Sequence, residues 1–161
     1  MAMQLCFTAL LPVLTAAAFV LAEKSAFFRR FPYALRQVLI GVVFGGLVFA
    51  AATMAPTTRT SIQDMVPLAA GLLFGAPAGL VSGGLGALLF YWLIQPGYTH
   101  GAAAISIALA GVIAAVVRHF LLDDHRAGLG YSLLVHGAVV VLHMSMVFFT
   151  NVEAAGGFAV V

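Results

Sequence analysis

The sequence predicts an all-α integral membrane protein: a bundle of about six transmembrane segments, two of them forming a broken Gly/Pro hairpin at 65–95. Three observations carry this. Of the 161 residues, 63% are hydrophobic and only 7% are charged, against about 25% charged in an ordinary soluble domain. So few polar side chains cannot cover a globule in water. Five long apolar segments stand out, at about 3–22, 35–54, 65–95, 101–122 and 129–149, and four have the roughly 20-residue length that crosses a bilayer as one helix. Finally, the basic side chains gather in two loops.

The first segment, MAMQLCFTALLPVLTAAAFVLAEK, lacks the basic residues that precede the apolar core of a signal peptide, and it is long enough to span, so it reads as a membrane helix. Cys6, the single cysteine, excludes an intrachain disulfide and reads as a buried, inert thiol. The loop that follows, EKSAFFRRFPYALR, interleaves basic residues with Phe27, Phe28, Phe31 and Tyr33, a pattern suited to setting topology and meeting lipid headgroups. The second long segment carries GVVFGG (Gly41, Gly45, Gly46), a small-residue face.

The third segment, 65–95, is interrupted at Gly75-Ala76-Pro77. As one helix its 31 residues would reach about 46 Å at 1.5 Å per residue, beyond a hydrocarbon core of roughly 30 Å. Charge decides between one crossing and two. Lys24, Arg29, Arg30 and Arg36 lie in the first loop and Arg118 and Arg126 in the loop around 118–128, six of the seven Lys and Arg residues. Both loops reach the cytoplasmic side, as the positive-inside rule requires, only if 65–95 crosses twice. The expected segments are then about 3–22, 35–54, 65–75, 77–95, 101–122 and 129–149, in the inner membrane, with the N-terminus outside and loops 23–36 and 118–128 cytoplasmic. The tail TNVEAAGGFAVV turns apolar again at Phe158–Val161, as if a further span were beginning.

Within GLLFGAPAGLVSGGLGALLF, glycines 71, 75, 79 and 83 recur every four residues. Such a stripe lets helices approach closely in lipid, with Ala102, Ser106, Ala110 and Ala114 offering a similar face. The small faces also suit a homodimer. The break at Gly75 and Pro77 must be buried in protein or line a cavity.

Candidate ligand-binding residues follow from polar groups in this apolar setting. Asp64 lies before a span on the outer side, where it suits a helix cap or the mouth of a cavity shared with Tyr91, Gln95, Tyr98 and His100. His136 and His143 lie inside the last segment. Seven residues apart, they share a face but stand about 10.5 Å apart along the axis, too far to hold one metal ion. They read as polar groups bonded between helices or as a proton- or ligand-sensing pair. The loop RHFLLDDHRAG reads as solvated. No G-x-S-x-G, H-E-x-x-H or P-loop occurs, so the expectation is no enzyme, no cofactor and no metal, and the net charge of +2 argues for no nucleic-acid partner.

Over about 35–149, at ALRQVLIGVVFGGLVFAAATMAP and DMVPLAAGLLFGAPAGLVSGGLGALLFYW, the chain resembles the LytS-type five-transmembrane receptor family. Those domains are bacterial membrane sensors that precede a cytoplasmic histidine kinase or diguanylate cyclase. The resemblance implies a sensory domain spanning 1–161 whose output domain or partner chain lies elsewhere. The chain departs from the family's D-x-R-x-x-P pattern: counting back from Pro67, Asp64 stands at the arginine and Ile62 at the aspartate. The second family arginine is also absent, since FYWLIQPGYTHG has none. An anionic ligand thereby loses its partners, leaving a neutral or cationic small molecule, or none. The expected function is a ligand-binding input domain of a signalling protein, with the bilayer as its surroundings. The alternative is the substrate-binding subunit of a vitamin-type uptake transporter, which is also small, six-helix and Gly/Ala-rich.

Overall fold

The computed structural model describes residues 2–54, 62–94, 100–122 and 128–150. They form α1 (Ala2–Lys24), a one-turn α2 (Ala26–Arg29), α3 (Tyr33–Met54), α4 (Ile62–Phe74), α5 (Ala76–Leu93), α6 (His100–Val116), a π turn (Val117–Leu121) and α7 (Leu129–Thr150). Among the described residues there is no strand. Three stretches are long and apolar enough to cross a membrane: Tyr33–Thr53, Ala76–Leu93 and Gly101–Leu121; the apolar stretches of α4 and α7 are shorter. The outward faces carry Leu39, Val43, Leu88, Trp92, Ile105 and Val141 exposed, while Gln37, Asp64, Ser82 and Ser106 are buried. Apolar outside and polar inside is the arrangement a hydrocarbon solvent selects.

α4 is the hub. It packs against each of α1, α3, α5, α6 and α7, and Val66, Leu68, Ala70, Leu72 and Phe74 are all buried. A helix that is apolar all round belongs in the middle of a bundle. A cluster of Phe19, Phe44 and Phe74 closes one side, with ring centroids 5.7–6.2 Å apart in the tilted and edge-on arrangements that aromatic quadrupoles prefer.

The chain breaks at Gly75, between α4 and α5. Gly75 has φ 139°, a conformation that side chains with a Cβ rarely adopt, and Pro77 sits in the first turn of α5, where its missing N–H costs nothing. The two helices then pack on each other, with Gly71 against Gly79. α5 runs beside α3 in the same direction, Gly41 meeting Val81 and Gly45 meeting Leu85, while α6 runs the opposite way. Consequently Tyr33, Gly75 and Arg118 share one end of the bundle and Asp64 lies toward the other. The two basic clusters, around 24–36 and at 118, fall at that same first end.

The glycine stripe brings helix backbones into close contact. A Cβ at Gly111 would come within 2.5 Å of the Gly79 carbonyl oxygen, and one at Gly79 within 2.7 Å of the Gly71 Cα. Here backbone meets backbone, so no rotamer change relieves a larger residue. Two local features differ from the sequence expectation. The first loop contains α2, capped by Ser25, whose hydroxyl accepts from the Phe27 N–H at 3.2 Å. The segment beginning at 118 is not a solvated loop at its start: Val117 and Arg118 are buried in the π turn, and His119, Phe120 and Leu121 point outward. The wider turn, closed by Leu122 N–H to the Val117 carbonyl, rotates Arg118 into the bundle.

Gly111→Val should therefore destabilise the fold by about 1–3 kcal/mol or prevent its formation, as overpacking does. Gly46→Ala, with nothing within 4 Å of its Cβ, should be neutral. Thermal denaturation of both variants in detergent, followed by size-exclusion chromatography, checks the contrast.

Candidate functional site

A polar centre joins α4, α6 and α7. Asp64, third residue of α4, has no exposed surface. Its Oδ2 accepts from the Ser106 hydroxyl at 3.1 Å and lies 2.8 Å from His143 Nδ1. A carboxylate only accepts, so Nδ1 carries a proton and donates it. Both partners are buried as well. The other oxygen, Oδ1, is buried and has no hydrogen-bond partner among the described residues. Leaving such an atom unsatisfied costs about 1–3 kcal/mol, more for a charged group. Asp64 therefore lies in the first turn of α4, at the helix's positive end, as a buried carboxyl group held between three helices.

Beside this centre, α4 and α7 leave a cleft of about 340 Å³ lined by Met65, Leu68, Leu72, Leu133, Ser132 and His136, among others. Asp64, Leu68 and Leu72 recur every four residues along one face of α4, and His136 and His143 share a face of α7. The cleft thus runs along the two helices with the Asp64–His143 pair beyond its upper end. His136 lies within the field of Asp64, and its Nδ1 is buried with no partner among the described residues. The volume is at the lower end of the range for small-molecule pockets.

A second polar arrangement sits at the break. Helix α4 ends inside the bundle, where its last carbonyls have no following turn to bond. Gln37 Nε2 donates to the Phe74 carbonyl at 2.9 Å, and Arg118 Nη1 donates to the Leu72 carbonyl at 2.7 Å. A cation at a helix C-terminus is also favoured by the dipole. This end is a structural clamp, ten residues and about 15 Å along α4 from Asp64.

The candidate residues thus divide. Asp64 and His143 are in contact, and His136 lines the adjoining cleft. Gly75 and Pro77 stand at the opposite end of α4, away from that contact. Tyr91 is exposed and stacks edge-on with Trp92 at 5.8 Å. Gln95 and Tyr98, with the side chain of His100, lie outside the described residues. Among the described residues no group of three or more His, Cys, Asp or Glu side chains is placed to hold a metal ion. Sequence reasoning named Ser106 only as part of a small-residue stripe and passed over Gln37. The signal for Ser106 was a lone hydroxyl in an otherwise alanine face; a single amide near the start of α3 gave less. Protein-family models, curated proteins and solved structures contain no match to the chain.

Removing His143 takes a buried hydrogen-bond partner from a side chain with no exposure, which leaves a buried polar atom unsatisfied at a cost of about 1–3 kcal/mol, whereas Ser106 supplies the longer of the two bonds. His143→Ala should therefore lower the melting temperature more than Ser106→Ala. Asp64→Ala combined with His143→Ala should be less damaging than the two single losses added together. Additive losses in thermal denaturation would mean that the two side chains are not coupled.

Proposed function

We propose that this chain is a membrane-embedded sensory domain: six segments in the inner membrane, α4 and α5 forming a hairpin, with a small-molecule site at the polar centre and cleft between α4 and α7. Ligand occupancy shifts the packing of α7 against α4 and α6, and the shift is passed to the cytoplasmic side, where an output domain or partner chain reads it. Pairing of two copies through small-residue faces suits such a relay. The resemblance to LytS-type receptors points the same way. The N-terminus and the Asp64 end lie outward; the end carrying Lys24, Arg29, Arg30, Arg36 and Arg118 lies inward.

The observation that carries this reading is Asp64: a fully buried carboxylate with one oxygen unpartnered among the described residues, beside an open cleft. A bundle built only for anchoring gains nothing from that cost, and ionisable groups inside membrane segments mark sites of function. The mechanism is a population shift: a ligand that binds better to one arrangement of α7 favours that arrangement.

Full-length protein in lipid nanodiscs should show thermal stabilisation by members of a small-molecule library, approaching about 2.7 kcal/mol at a hundredfold excess over Kd. Leu133→Trp, at an exposed position lining the cleft, should fold, fill the cleft and lose the response. A library that stabilises neither protein, or both equally, removes this site. The orientation has its own check. In spheroplasts, with Cys6→Ser as background, a cysteine at Arg30 should resist a membrane-impermeant maleimide that labels one at Trp92.

A further inference from the structure

The α4–α7 cleft is hydrocarbon along one wall and polar at one point. Met65, Leu68 and Leu72 of α4 and Leu133 of α7 are apolar lining residues; Ser132 and His136 of α7 are the polar ones. Among the described residues no Asp, Glu, Lys or Arg lines it, and the Asp64–His143 pair is not part of the lining. Ser132 and His136 are four residues apart, hence neighbours on one face of α7 with Cβ atoms about 5–6 Å apart. One polar group of a ligand, set between them, reaches both. Other hydroxyls in these helices turn back on their own backbone: Thr15 donates to the Leu11 carbonyl and Ser145 to the Val141 carbonyl, each at 2.8 Å. The Gly128 carbonyl receives the Ser132 backbone N–H at 3.0 Å, and the Ser132 hydroxyl makes no bond among the described residues.

Position adds a second constraint. His143 meets Asp64, while Ser132 and Leu72 border the same cleft, so α4 and α7 run in opposite directions. The polar point therefore stands level with the last turn of α4, toward the end that carries the basic side chains. The apolar wall continues from Leu72 to Met65, seven residues and about 10 Å along α4. The mouth lies on the outward surface of the bundle, where Met65 and Leu133 are 41% and 56% exposed. In a bundle with apolar outward faces that surface meets hydrocarbon.

Resting on the reading of this cleft as a ligand site, we infer that its ligand is an uncharged single-chain amphiphile with a hydroxyl head, taken up from the bilayer. The hydroxyl sits between Ser132 and His136, and the chain lies along Leu72, Leu68 and Met65. A hydroxyl both donates and accepts, so it pairs with the imidazole in either tautomer and with Ser132 in the remaining direction. An alkane leaves both side chains without that partner. A carboxylate or ammonium head brings a charge into a lining with no opposite charge among the described residues, which burial makes costly. The volume of about 340 Å³, at the lower end for ligand pockets, suits one chain rather than two.

The test uses the full chain in nanodiscs and a 1-decanol carrying a diazirine at mid-chain. After illumination, labelled peptides are located by mass spectrometry, with 1-decanol, decane, decanoate and decylamine as competitors at matched concentrations in the bilayer. The expected result is labelling within 65–73 and 132–136, displaced by decanol about tenfold more effectively than by decane, and least by the two ions. Ser132→Ala and His136→Phe should each narrow the preference for decanol over decane while labelling persists. Leu133→Trp should abolish labelling at both segments. If decane competes as well as decanol, or either ion competes better, the cleft is a ligand site but the hydroxyl assignment is wrong. If neither segment is labelled above the level seen in Leu133→Trp, the cleft reading fails with it. Should His136→Phe not fold, Ser132→Ala and the competition series on unaltered protein still decide between these results.

Discussion

A helix that stops inside an apolar bundle has carbonyl groups and no water to receive them. That constraint, met at Gly75, organises this molecule. The Phe74 carbonyl takes a donor from Gln37 and the Leu72 carbonyl one from Arg118. The first fixes α3 beside the break. The second requires the chain after α6 to widen into a π turn so that a guanidinium reaches inward. With α4 terminated in this way, α5 returns along it and α6 is laid on both, glycine against glycine. The buried carboxylate at the other end of α4 is then presented to α6 and α7 together.

The architecture was legible where local chemistry forces a choice. Gly75-Ala76-Pro77 announces a break because only glycine takes the positive φ and proline suits a helix start. The four-residue spacing of glycines announces a close helix contact, and Gly71, Gly79, Gly83 and Gly111 make it. Of the second basic segment, Arg118 lies at the end of the bundle that also carries Lys24, Arg29, Arg30 and Arg36, and Arg126 lies outside the described residues.

The site was less legible, because its contacts are distant in sequence. Asp64 and His143 are 79 residues apart, and no periodicity links them; each was notable only as an ionisable group in apolar surroundings. Arg118 read as part of a loop because its neighbours His119 and Asp123 are polar, although the register of a π turn, not composition, decides its direction. Gly75 and Pro77 drew attention as a break, yet the structure gives the break a structural clamp and places the carboxylate about 15 Å away along α4.

The glycine seam divides the bundle mechanically. Where Gly79 and Gly83 meet Gly111, the contacts are between main chains, and there are no side-chain torsions through which one helix can yield to another. The helices α4, α5 and α6 consequently form a stiff block. On the α7 flank the contacts run through longer side chains, His143, Val139 and Leu68, each with rotamers to exchange, and the packing there is incomplete by the volume of the cleft. The rigid contacts thus lie on the α4–α5–α6 side of the molecule, and the α7 side is joined to it through side chains bordering an open volume.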